Sequence, residues 1–172
     1  MKTVGGAAAV FLGLLAASCG YATLRPHPAA GLKTIAVPQA SNETAEPSLG
    51  FLLAAELRKC IAASGEPGLV STSDETAPEL LVRIVEARSS PASYRLDGSD
   101  RVAAGDNALS VKVEARVRTR DGKDVWGPAM FETRASWVER ESSLEALSSE
   151  DRGVNRAAAD LSRQICDAVT GR

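Results

Sequence analysis

The chain has 172 residues, 44% of them hydrophobic and only 4% aromatic, with 20 basic against 22 acidic side chains for a net charge of −2. That length suits one domain large enough to hold a core, and the near balance of charge excludes a globally basic nucleic-acid binder. A single histidine leaves little room for imidazole chemistry.

Lys2 is a minimal basic start, and Val4 to Ala17 is an almost unbroken run of small and apolar residues. At about 14 residues the run is too short for a membrane span, which needs roughly 20, and has the length of a signal-peptide core. It ends in "LAASC", which resembles a bacterial lipobox with Ala16, rather than leucine, three places before Cys19. The expected leader is therefore 1–18, with Cys19 lipidated as the first residue of the mature chain. An ordinary secretory leader with an incidental cysteine is the alternative. Gly20 in place of an inner-membrane-retaining aspartate points to the outer membrane, with acyl chains as the anchor. Cleavage leaves 154 residues, 19 basic and 22 acidic.

Residues 19–31 contain Pro26, Pro28 and the lone His27 and read as a lipidated tether ahead of a single domain over 32–172. Leu32 to Pro38 predicts a short strand. Thr44, Glu46 and Pro47 then predict the start of a helix running to Ser64 and stopping at Gly65. Its apolar set, Leu49, Leu52, Leu53, Leu57 and Cys60, covers one face. Glu79 to Glu86 alternates as a second strand, and Asp97-Gly98 marks a hairpin between extended arms. Ala108 to Arg120 has Leu109, Val111, Val113, Ala115 and Val117 on one side and Ser110, Lys112, Glu114, Arg116 and Arg118 on the other. Asp121-Gly122 turns into a last strand over Val125 to Val138, with Gly127-Pro128 as a bulge or an edge mark. Ser142 and Glu145 have capping-box spacing ahead of a long terminal helix, in which Gly153 is a weak point.

The order β-α-β-β-β-α predicts an α+β two-layer sandwich, with a mixed, largely antiparallel four-stranded sheet and two helices on one face. In that topology the two helices run parallel, which brings Cys60 and Cys166 together near their C-terminal ends and predicts a disulfide in an exported protein. Two small buried thiols that never meet are the other reading. No histidine lies in the domain, no pair of carboxylates is poised for catalysis and no glycine-rich phosphate loop is present, so neither enzyme activity, cofactor nor metal is expected. Arg95 and Arg101 flank the first hairpin turn, and Lys112, Arg116 and Arg118 line the polar strand face. They form a basic rim suited to phosphates, although alternation with Glu114 fits a solvated sheet face better.

"CGY" after the lipobox-like run, "LKTIAVP", "SNETAEPSLGFLLAAELRK" leading into the first helix, hairpin strands around "RDGK" and the terminal helix together resemble the LptE family of lipopolysaccharide-assembly lipoproteins. The resemblance covers essentially the whole chain and rests on the order and spacing of these segments. It implies an outer-membrane lipoprotein that plugs the β-barrel translocon LptD, which inserts lipopolysaccharide into the outer leaflet, with lipopolysaccharide itself a further ligand. Its role would be structural and binding, without nucleic acid as a partner. The competing reading is a periplasmic adaptor lipoprotein of an ABC-type lipid transporter or a cell-wall synthase complex.

Overall fold

A computed structural model describes residues 29, 31–96, 102–138 and 143–171. The expected leader, Cys19, His27, the Asp97-Gly98 turn, Arg101 and Ser142 lie outside them, as do the side chains of Arg95 and Glu145. Among the described residues the elements run β1 (Thr34–Ala36), β2 (Ser41–Asn42), α1 (Pro47–Ser64), β3 (Gly68–Val70), β4 (Glu79–Leu96), β5 (Val102–Arg118), β6 (Asp124–Val138) and α2 (Ser143–Thr170).

The two-layer α+β architecture has six strands, not four. Their order is β3-β1-β4-β5-β6, with β2 added against β4. The extra strands, β2 and β3, are two and three residues long, too short to show an alternation in sequence. Pairings among β1, β2, β3 and β4 are parallel, whereas β4-β5 and β5-β6 are antiparallel. The parallel part is small because only the β1-α1 crossover demands it.

Helix α1 begins at Pro47, where the ring sacrifices no intrahelical donor. Thr44 does not cap it. Asn42 organises the entry instead, donating from Nδ2 to the Glu46 carbonyl at 2.7 Å and accepting from the Thr44 amide at 3.0 Å. Gly65, with φ of 81°, ends the helix as expected. The buried set is Leu49, Gly50, Leu53, Ala54, Leu57 and Ile61. Its centre therefore runs through Ile61, and Cys60 falls to the flank.

Strand β4 runs ten residues past Glu86, because Ser89, Ser90 and Pro91 sit in an extended ribbon against β5. Pro91 is tolerated there because beyond the β2 pairing this part of β4 is a sheet edge. Val85 has no partner: Ile84 faces Val113 and Glu86 faces Lys112, which makes a bulge whose extra residue is 47% exposed. The β4-β5 pairing shifts again between Pro91 and Tyr94, and another irregularity lies at Gly127-Pro128 on the edge strand β6. Gly127 has φ of 81°, and a Cβ there would stand 2.6 Å from the Ala115 carbonyl oxygen, so only glycine lets the strands approach.

One core joins the layers. Leu49, Leu53, Leu57 and Ile61 of α1 and Val154, Ala158, Leu161 and Ile165 of α2 pack with Leu80, Val82, Ile84, Leu109, Val111 and Val113 of the sheet. Removing these side chains from water supplies the main drive to fold. Neither helix is long and apolar enough to cross a membrane. Ala29 packs against the core and donates its amide to the Val169 carbonyl at 3.1 Å, so the chain enters the domain beside the end of α2.

Candidate functional site

The sheet face turned away from the helices carries the polar half of the β4-β5-β6 alternation, and register decides which charges meet. Arg83 faces Glu114 and donates to it at 3.3 Å, while Arg116 reaches the same carboxylate at 4.0 Å. Lys112 stands between Glu86, at 3.8 Å, and Glu132, at 3.9 Å. Arg88 pairs with Glu86 at 2.8 Å, and Arg120 with Glu79 at 3.0 Å. Arg118 forks onto Asp124 with hydrogen bonds of 2.7 and 3.2 Å, and this holds the Asp124 carboxyl below the usual carboxylate range and the guanidinium above its own.

Lys112, Arg116 and Arg118 are thus brought onto one face, each already matched to a carboxylate. A phosphate would have to compete with Glu86, Glu114, Glu132 or Asp124 for the same donors. Arg134 apart, the face behaves as a charge-compensated surface, able to lie against another polar surface with its other cations already matched. It also includes the exposed apolar side chains of Val85 and Met130, 47% and 60% accessible. Arg134 projects from β6 with no ion-pair partner among the described residues.

Sequence reasoning missed the carboxylate partners, since Arg83 and Glu114 are 31 residues apart and their meeting depends on the bulge at Val85. It also missed Trp137, which stands between two clefts at the junction of β6 and α2. Ser89, Ser90, Asn107 and Glu150 line one side, and Arg152 and Arg156 the other. Gly153 is the seat for this ring: a Cβ there would lie 2.5 Å from Trp137 Cε3.

Near that cleft, burial and then the carboxylate of Glu150 push the Glu46 carboxyl above its usual value. The folded state therefore holds this proton more tightly than the unfolded chain. The stability associated with it is present below the unfolded value of about 4.3 and is lost as pH rises through the raised folded value. In Glu150→Gln, the Glu46 titration followed by NMR moves part of the way back down, leaving only the burial effect. No movement would place the whole shift in burial.

On the helix side, Cys60 and Cys166 form a disulfide, with Cα atoms 6.3 Å apart and a sequence separation of 106. It pins α1 to α2 near their C-terminal ends, the arrangement that parallel helices allow. Among the described residues no three His, Cys, Asp or Glu side chains gather as a metal site.

Comparison with known proteins agrees with this architecture. The minor lipoprotein of Acinetobacter baumannii superposes with a TM-score of 0.55 at 16% identity, covering 81% of this chain and 92% of that one. A Caulobacter crescentus protein described as a lipoprotein gives 0.52 at 22% identity, over 83% and 93% of the two chains. Lipoprotein B of Nitrosomonas europaea gives 0.50 at 16%, over 81% and 83%. At these identities the likeness is one of fold. No curated protein matches the sequence. The family pattern described as "LptE: Lipopolysaccharide-assembly" matches residues 32–169, from the first strand through the last turn of α2. The chain therefore belongs to the LptE family, lipoproteins of lipopolysaccharide assembly that support the outer-membrane barrel translocon as structural partners and are not enzymes.

Proposed function

We propose that this chain, lipidated at Cys19 after removal of residues 1–18 and tethered through residues 19–31 to the outer membrane, seats its 32–172 domain as the plug of the barrel translocon LptD. The observation that carries this reading beyond family membership is the compensated sheet face. Six cations, Arg83, Arg88, Lys112, Arg116, Arg118 and Arg120, are matched by Glu79, Glu86, Glu114, Glu132 and Asp124. Such a surface suits the polar interior of a large barrel, where water is displaced but polar groups are abundant. Depletion of the protein lowers barrel abundance and sensitises cells to large apolar antibiotics. Unchanged barrel level and unchanged sensitivity would remove the plug reading and favour the transporter or synthase adaptor.

Lipopolysaccharide contact belongs, on this proposal, to Arg95 and Arg101, which flank Asp97-Gly98 in the sequence, rather than to the paired cations of the face. Replacing both by alanine weakens capture of lipopolysaccharide by the purified protein, while replacing Lys112 alone changes it little. The reverse ranking would return the binding role to the sheet face.

A further inference from the structure

The Cys60–Cys166 bridge is accessible from one side only. Cys166 is 2% exposed and belongs to the core cluster, whereas Cys60 is partly exposed at the flank of α1. Cys60 forms part of the wall of an open hollow between the helices, together with Glu56, Lys59, Ala159, Ser162 and Arg163. The rim adds no net charge to the hollow, because Lys59 pairs with Glu56 and Arg163 with Asp160 on their own helices. From this asymmetry we propose that Cys60 is a thiol-exchange site, open to S-thiolation by a small solvent-borne thiol.

In that step a thiolate attacks Cys60 Sγ and forms a new sulfur–sulfur bond, the Cys60–Cys166 bond breaks, and its electron pair leaves on Cys166 Sγ. The Cys166 thiolate then takes a proton from water. Two effects oppose each other. A thiol buried in apolar surroundings has a raised pKa and is the poorer leaving group, which favours attack at Cys166 with Cys60 departing. Access favours Cys60, because reaching Cys166 requires the helices to part. The leaving-group difference slows the exchange by a modest factor, whereas opening the core forfeits the packing of Val169, Ile165 and Leu161. Access therefore decides the site.

The product would be a domain carrying a thiol adduct on α1, with α2 no longer covalently held. The freed last turns of α2 include Val169, whose carbonyl holds the incoming chain at Ala29. Modification at Cys60 is thus placed to loosen the end of the domain at which the chain enters.

The test incubates the folded protein with reduced glutathione, traps free thiols by rapid alkylation and maps the peptides by mass spectrometry. The expected result is glutathione on the Cys60 peptide and alkylation on Cys166, in excess over the reverse pattern by at least about tenfold. Adducts divided equally, adducts mainly on Cys166, or a bridge that stays closed until denaturant is added would each overturn the proposal. Single-cysteine variants give an independent readout with oxidised glutathione: Cys166→Ala becomes labelled at Cys60, and Cys60→Ala resists labelling at Cys166. Equal labelling of the two would contradict one-sided access.

Discussion

Cys60→Ala combined with Cys166→Ala lowers the stability of the domain by about 2–5 kcal/mol, read from the denaturant midpoint under non-reducing conditions. The separation of 106 residues puts the chain-entropy estimate near the upper figure, about 4.7 kcal/mol for a loop of roughly 100 residues. Residual structure in the unfolded chain reduces it. Thermal unfolding moves down by roughly 2–4 °C for each kcal/mol in a domain of this size. The denaturant dependence also steepens, because the unlinked chain exposes more surface on unfolding. A midpoint and slope equal to those of the parent would mean that packing between α1 and α2 already supplies all the restraint.

Gly153→Ala destabilises the protein, although an exposed helix would gain about 1 kcal/mol from the same change. The added Cβ would meet three atoms of the Trp137 ring at 2.5, 3.1 and 3.2 Å. A planar ring held between strand and helix has no flexible end to swing aside, and overpacking of this kind costs about 1–3 kcal/mol. The net effect is a loss of up to about 2 kcal/mol, the balance of these two terms. The decisive measurement is a double-mutant cycle: once Trp137 is replaced by alanine, Gly153→Ala becomes stabilising. A gain in stability with Trp137 still present would show that the ring relocates freely.

The elements that could be read from sequence were those with a long, one-sided pattern. Leu109 to Val117 alternates through five apolar positions, and the structure buries all five. Ser41–Asn42 and Gly68–Val70 belong to the sheet through neighbours that local pattern does not specify, so their pairings with β4 and β1 could not be inferred. The upper half of β4 was hidden by Ser89, Ser90 and Pro91, a turn-like composition that an edge strand accommodates. Cys60 looked central to its helical stripe because Leu49, Leu53 and Leu57 lead toward it as readily as toward Ile61. Only packing against α2 separates the two. The cations of the sheet face were visible as residues, but their neutralisation depends on register across three strands. Gly153 read as a weak point for the same reason, since its partner Trp137 lies on another element.

The bulge at Val85 bears on how distant relatives of this chain should be compared. Val85 and Glu86 both point outward between the inward Ile84 and Ala87, and only Glu86 has a partner, Lys112, so leaving out either one restores a regular alternation with Ile84 and Ala87 inward. Leaving out a residue further along the strand on either side exchanges the two faces between that residue and the bulge. A one-residue gap in this region of an alignment therefore belongs at position 85 or 86. Placed elsewhere, it would assign core positions to the charged face and give a false picture of which residues vary together.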